Sequence, residues 1–386
     1  MPNNFFITTP IYYVNDIPHI GHAYTSIATD FIARFKRMSG VNTIFLTGTD
    51  EHGQKIQKAA ENNLIEPLSL CDKNSAKFRE LTDVLNLSND DFIRTTEKRH
   101  IDGAKSLWNK LMVSGDIYLD TYKGWYSVSD ETFYNEKDLI KQNDGSFKTI
   151  TGGPVEWIEE ESYFFKLSKY SKKLLELYEE KPEFILPKSR RNEVISFVKS
   201  GLRDLSISRN TFNWGINVPN DDKHVMYVWL DALSSYPNSL GYIENKKSKL
   251  SPYWSNSTHI IGKDILRHHA VYWPAFLMSA QLDLPKRIFA HGWWTNEGNK
   301  ISKSLGNAID PIEIIEQYGL DQIRYFLLRE ITFGSDGDFS TNALKSRINA
   351  DLSNDLGNLC QRSLTMIVKH CDATIPTNKN ITELDK

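Results

Sequence analysis

The stretch that decides the fold is residues 5–40. It opens with the β-rich run Phe5-Phe6-Ile7-Thr8-Thr9, which stops at Pro10. A loop rich in Tyr, Asn and Pro leads to Pro18-His19-Ile20-Gly21-His22. Then Ala23, Ile27, Ala28, Phe31, Ile32 and Phe35 recur at helical spacings of three and four. Gly40 stands where a C-terminal glycine ends a helix. Next come a second β-rich run, Thr43-Ile44-Phe45-Leu46-Thr47, closed by Gly48, and helices predicted from Gln54 and over 97–112. Strands alternating with helices predict an α/β fold built on a parallel sheet with right-handed crossovers.

Near Gly115 the pattern changes. From Ile117 to about Phe165 the chain is aromatic and β-like, broken by Asn143-Asp144-Gly145 (a hairpin signal) and Gly152-Gly153-Pro154. Helices are predicted again at 167–179 and 192–201, and residues 115–222 read as an inserted domain. The α/β alternation resumes at Val225-Met226-Tyr227-Val228-Trp229. It continues through Thr258-His259-Ile260-Ile261, a helix from Asp264 and the strand Arg287-Ile288-Phe289-Ala290. From Asp310-Pro311 onward the chain reads as helical.

The 386 residues carry 46 basic and 49 acidic side chains, a net charge of −3, with 40% hydrophobic and 25% charged residues. That composition excludes wholesale disorder. No apolar run approaches the ~20 residues needed to span a bilayer. Met1 to Pro10 lack the basic start and apolar stretch of a secretory signal. Three cysteines, Cys71, Cys360 and Cys371, make neither a disulfide framework nor a C-x-x-C pair, which points to a reducing, cytosol-like compartment. Near-neutrality gives no general sign of nucleic-acid binding, yet leaves room for a local basic face.

Two short motifs carry chemistry. Pro18-His19-Ile20-Gly21-His22 joins the first strand to the first helix, where α/β proteins place nucleotides. The helix start is expected to offer free N–H groups and a positive dipole end to phosphate. Gly21 allows close approach to the backbone. Two incidental loop histidines are an equal reading of the residues alone; two histidines without a third ligand are not a zinc site. Lys300-Ile301-Ser302-Lys303-Ser304 suits a pyrophosphate, with lysines as point charges and serine hydroxyls as donors, or is a solvated basic loop.

Together, His19-Ile20-Gly21-His22 and the distant Lys300-Ile301-Ser302-Lys303-Ser304 resemble the HIGH and KMSKS signatures of class I aminoacyl-tRNA synthetases. Five further blocks look like the methionyl-tRNA synthetase family. They are Thr8-Thr9-Pro10-Ile11-Tyr12-Tyr13-Val14-Asn15, Leu46-Thr47-Gly48-Thr49-Asp50-Glu51-His52-Gly53, Asp204-Leu205-Ser206-Ile207-Ser208-Arg209, Tyr227-Val228-Trp229-Leu230-Asp231-Ala232 and Ile261-Gly262-Lys263-Asp264-Ile265. They stand in that family's order and cover the chain from residue 5 to about residue 370.

The resemblance implies condensation of ATP and methionine to methionyl-adenylate, then transfer to the 3′-terminal adenosine of tRNA(Met). It assigns His19, His22, Lys300 and Lys303 to catalysis, with Lys303 as the principal ATP-binding lysine. Pro10, Gly21, Gly262, Asp264 and Ser302 join those four in the ATP site, and Mg²⁺ is expected to share the phosphate charge. Asp50 matches the partner of the methionine ammonium. Ile11, Tyr13, Trp229, Ala232, Leu233, Tyr236, Ile265 and His269 match the thioether pocket, with Tyr13 and His269 as weak polar contacts to sulfur. From spacing alone, each of these aromatics reads as core. Glu51 and His52 are expected to play supporting or structural roles. Homocysteine is the natural mistaken substrate, since an apolar pocket discriminates weakly by one methylene.

By the same resemblance, residues 1–114 and 223–295 are the two halves of a Rossmann-type catalytic domain split by the connective domain 115–222. Residues 296–340 are the KMSKS and stem-contact region, and 341–386 the start of an anticodon-binding helix bundle that lacks several helices. Many family members bind zinc through cysteine knuckles in the inserted domain. Here the stretch reads Trp125-Tyr126-Ser127-Val128-Ser129-Asp130-Glu131, so no zinc is expected. Trp125, Tyr126, Phe133, Tyr134, Trp157, Phe164 and Phe165 are expected to hold that domain together as an aromatic cluster. Lys188, Arg190, Arg191, Lys199, Arg203 and Arg209 read as a phosphate track or a solvated helix face. A cytoplasmic monomer is expected, with no membrane contact.

Three alternatives are weighed. A synthetase for leucine, isoleucine or valine carries a larger inserted editing domain. A small-molecule nucleotidylyltransferase lacks the pocket blocks and the helical C-terminus. An RNA-binding protein without catalysis is disfavoured by the intact His19, His22, Lys300 and Lys303.

Overall fold

A computed structural model describes residues 4–15, 17–128, 132–134, 136–142, 144–150, 152–301, 309–375 and 382–383, with the backbone alone at Phe133, Asn299 and Lys300. At its centre lies strand β1 (Asn4–Thr8), whose Phe6 and Ile7 are fully buried. It pairs in parallel with Ser257–Gly262 and with β3 (Asn42–Asp50), in the register Phe6↔Ser257 and Phe6↔Ile44. Arg287–His291 and then Ile185–Leu186 extend the sheet past Ser257–Gly262. The short β2 (Tyr12–Tyr13) and β4 (Asp91–Arg94) both pair with β3, completing seven strands. Helices cover the strands, which explains their unbroken apolar runs. The strand order reverses at β1, so a ligand crevice belongs at the carboxyl ends of β1, β3 and Ser257–Gly262.

Helix α1 (Ile20–Met38) buries Ile20, Ala23, Tyr24, Ile27 and Ala28. Phe31 and Phe35, expected on the same stripe, are exposed. The buried face has rotated to include Asp30, which accepts hydrogen bonds from Arg34 (2.7 Å), Arg324 (2.5 Å) and Ser88 (2.7 Å). Burial alone would raise the Asp30 carboxyl. The Ser88 and arginine bonds overrule it and hold the pKa below the usual carboxylate value.

In the inserted stretch, β5 (Ile117–Ser127) pairs antiparallel with Glu156–Phe165 from Ile117↔Phe165 to Tyr126↔Glu156. The expected hairpin is present: Ile140–Lys141 pairs with Phe147–Lys148 about Asp144-Gly145. Several of the expected aromatic contacts are present among the described residues. Trp125 meets Trp157 and Phe147 with ring centroids 5.4 and 4.8 Å apart. Phe164 stacks on Tyr118 and Tyr122, while Phe165 packs against Phe276 and so anchors the stretch to the central core. The Phe133 side chain lies outside the described residues, as do Ser129, Asp130 and Glu131 of the zinc question.

Three expectations are corrected. Ile185–Leu186 lies within the inserted interval, yet it forms the edge of the central sheet. Val225 to Trp229 is not a strand of the central sheet. Asp221–Met226 belongs to a small antiparallel sheet with Ser208–Arg209 and Asn217–Val218, and a helix starts at Val228 (Val228–Ser239). A continuous apolar run does not separate strand from buried helix by periodicity. Within the region read as helical, Gly337–Phe339 is a strand paired in parallel with Trp294–Asn296, too short to show a period. Beyond it Thr341–Arg347 and Asn358–His370 are helical, and Leu356, Leu359 and Leu364 are exposed.

Candidate active site

A cleft of about 1910 Å³ opens at the predicted crevice. Pro10, Ile11, Tyr13, His19, Gly21, His22, Asp50, Trp229, Ala232, Leu233, Tyr236, Gly262, Asp264, Ile265 and His269 all line it. Lys300 is described by its backbone only, and Ser302 and Lys303 lie outside the described residues. Ile301 lines the cleft, and the Ile20 amide donates to the Ile309 carbonyl at 3.1 Å. Ile309, beyond the lysine-serine segment, therefore stands at the start of α1.

His19 is the N-cap of α1. Its Nδ1 accepts the Gly21 amide at 3.1 Å, and His22 Nδ1 accepts the His19 amide at 3.2 Å. A Cβ at residue 21 would sit 2.9 Å from the His19 ring, so glycine is what lets the ring fold back as a cap. The expectation of free amides here is corrected: Ile20 N–H goes to Ile309, Gly21 N–H to the His19 ring and His22 N–H to the His19 carbonyl (2.9 Å). The donors pass instead to the side chains. With Nδ1 accepting, each neutral ring carries its proton on Nε2. The two rings lie 3.9 Å apart, a pair of N–H donors at the positive end of a helix.

On the opposite wall, Trp229 stacks on His268 at 3.7 Å and meets the Tyr13 ring edge-on at 6.4 Å. His269 donates from Nδ1 to the Ile265 carbonyl at 3.0 Å, so its Nε2 accepts the Tyr236 hydroxyl at 2.7 Å. Both ring nitrogens are then engaged. His269 thereby holds the Tyr236 hydroxyl in place. Burial lowers its pKa to about 4, which keeps the ring neutral.

Asp50, 2% exposed, closes β3 at the floor of the cleft. The next residues are structural. Buried Glu51 receives Arg94 (2.7 and 3.0 Å), Thr49 (2.8 Å) and Thr96 (2.6 Å). His52 donates from Nδ1 to Asp231 at 2.6 Å, and His100 donates from Nε2 to the other Asp231 oxygen at 2.5 Å. This buried bridge, of which the sequence reading offered only His52 as a supporting residue, ties the Asp50 strand to the Trp229 helix. Burial by itself would raise Asp231, but the two histidines outweigh it and lower the pKa from 3.8 to about 2. The stabilisation from that depression is complete above pH 4 and is lost as pH falls towards 2. Asp231→Asn is therefore expected to cost about 3 kcal/mol by leaving two buried histidines poorly matched. Urea unfolding at neutral pH measures the loss, and the variant's acid limb between pH 4 and 2 is expected to flatten.

The basic stretch divides. Arg209 is buried in an ion pair with Glu160 and lies 4.0 Å over the Tyr126 ring, so it is no phosphate contact. Arg190 and Arg203 line the cleft. The sequence reading also missed His268, Lys263 and Trp293, all of which line the cleft. Trp293 follows the strand Arg287–His291, and position at the carboxyl end of a parallel strand was the available signal.

The family model described as tRNA synthetases class I (M) matches residues 5–144 and 142–364. The chain is 60% identical over 376 residues to the methionine–tRNA ligase of Rickettsia felis, covering 97% of this chain and 72% of that protein. It is 57% identical over 382 residues to that of Brucella suis biovar 1, covering 99% and 74%. Among solved structures it is similar to Mycobacterium tuberculosis methionyl-tRNA synthetase in complex with methionyl-adenylate. There the TM-score is 0.94 at 52% identity, over 98% of this chain and 74% of that one. The TM-score to the free form of that enzyme is 0.84 at 50% identity, over 98% and 72%.

Proposed function

We propose, from the premise that this chain belongs to the class I tRNA synthetases of the methionine type, that the cleft residues divide into an ATP wall and a methionine wall. The chain is an aminoacyl-tRNA ligase: it activates L-methionine with ATP to methionyl-adenylate and transfers methionine to tRNA. The observation that carries the site assignment is the placement of the histidine pair and the Asp50 floor in one cleft at the strand-order reversal.

In the first step a methionine carboxylate oxygen bonds to the α-phosphorus, and the bond to the pyrophosphate oxygen breaks. The reaction needs alignment and charge stabilisation more than proton transfer. His19 and His22 donate from Nε2 to phosphate oxygens, and Asp50 holds the ammonium. Trp229, Tyr13, Ile11 and Tyr236 surround the thioether, with Ala232, Leu233 and Ile265 filling behind. Pro10, Gly21, Gly262 and Asp264 shape the nucleotide side, while Lys300, Ser302 and Lys303 hold the departing pyrophosphate. In the second step the terminal adenosine hydroxyl attacks the methionyl carbonyl carbon and AMP leaves.

Among the described residues no group of three or more His, Cys, Asp or Glu side chains is placed to hold a metal ion. We place Mg²⁺ on the nucleotide's own phosphates, where it would share their charge. We propose that zinc has no structural role. Cys71 is buried with its sulfur on the Glu51 carbonyl (3.3 Å), and burial pushes its thiol up, the reverse of a metal-binding thiolate. Metal analysis of purified protein is expected to find no stoichiometric zinc; one zinc per chain contradicts this. Among the described residues no helix is long and apolar enough to cross a membrane. We infer a monomer working in the cytoplasm on tRNA(Met).

The assignment is tested with Lys303→Ala. Trapped methionyl-adenylate is expected to form about a hundredfold more slowly, with methionine affinity within about twofold of the parent protein. A collapse of methionine affinity instead makes Lys303 structural.

A further inference from the structure

The hairpin that ends at Lys300 does not rest on the cleft unaided. Its first strand, Trp294–Asn296, pairs with Asn299–Lys300 on one side and Gly337–Phe339 on the other. At the base of that pairing sits Asp336. It receives Lys263 Nζ on both oxygens at 2.6 Å and the Trp293 amide at 2.8 Å. Lys263 lies 4.4 Å over the Trp293 ring, and the Trp293 indole N–H donates to Asp264 at 3.0 Å. A Cβ on residue 292 would come within 2.4 Å of Asp336 and the Ser335 backbone, so Gly292 is what admits this approach. The contacts close a ring between the strand end that carries Asp264 and the hairpin that carries Lys300.

We propose that Asp336 is a positioning residue for adenylate formation: through Lys263 and Trp293 it sets the lysine hairpin against the nucleotide wall. The proposal rests on the ATP reading of Lys300 and Asp264. The Asp336 side chain is 56% exposed, and exposed ion pairs contribute little to folding. Its value lies in geometry, because a misplacement of about 1 Å at a reacting centre can cost about a hundredfold in rate.

The test measures methionine-dependent ATP–pyrophosphate exchange for the full chain and its Asp336→Ala, Lys263→Met and Asp336→Ala/Lys263→Met variants, beside urea unfolding. Asp336→Ala is expected to lower kcat/KM for ATP about tenfold, with KM for methionine within about twofold and the unfolding midpoint unchanged. Lys263→Met is expected to do the same, and the double variant to be no worse than either, as for two parts of one unit. Asp336→Glu is expected to restore part of the rate. An unchanged ATP dependence, equal losses for ATP and methionine, or additive losses overturns the proposal. If Asp336→Ala does not fold, Lys263→Met decides it alone. Absence of exchange in the parent protein overturns the adenylation reading instead.

Discussion

Asp50→Ala is expected to raise the methionine requirement about a hundredfold while leaving KM for ATP within about threefold. On the proposed reading the substrate ammonium enters the aromatic side of the cleft, where its desolvation has to be offset. Asp50 is 2% exposed at the end of β3, the position where the pocket floor meets the parallel sheet. Removing one partner of a buried charged pair costs about 3–5 kcal/mol, and each 1.4 kcal/mol is about tenfold in affinity. Asp50→Asn keeps the shape without the charge and is expected to fall between. Steady-state exchange at varied methionine measures both. An unchanged methionine requirement removes Asp50 from the site.

The second large effect separates two roles of one residue. His19 caps α1 through Nδ1 and is proposed to donate to phosphate through Nε2. Asparagine is a good N-cap but does not reach the phosphate as the imidazole does. His19→Asn is expected to slow adenylate formation about a hundredfold, the usual cost of losing one preorganised donor to developing charge. It should keep stability within about 0.5 kcal/mol. His19→Ala is expected to show the same rate loss plus about 1 kcal/mol of destabilisation from the lost cap. Rapid-quench adenylate formation and urea unfolding on the two variants read the two roles apart. If His19→Asn forms adenylate at the parent rate, His19 is a cap alone.

The alternation of apolar runs and helical periods made the parallel sheet legible, because strands buried on both faces are written as continuous apolar segments. The same property hid the start of the helix Val228–Ser239, since Val225 to Leu230 is apolar whichever way it folds. Ile185–Leu186 could not be placed on the central sheet from its neighbours; two residues have no period, and their partner Arg287–His291 lies far along the chain. In the cleft, the described residues that the motifs singled out line one surface. Their second roles were not legible in the motifs. That His19 spends Nδ1 on its own helix is a local contact that no motif announces, whereas the hold of His269 on Tyr236 and the Asp231 bridge between two histidines are contacts across long sequence separations. Arg209 illustrates the opposite error: a basic residue in a basic stretch turned inward because Glu160 and the Tyr126 ring receive it.

The central claim is that one cleft joins methionine to ATP. The most direct measurement is ATP–pyrophosphate exchange by the purified chain with each of the twenty amino acids in turn. Exchange is predicted with methionine and, at higher concentration, with close thioether or thiol analogues such as homocysteine. Exchange that follows leucine, isoleucine or cysteine and ignores methionine would contradict the account.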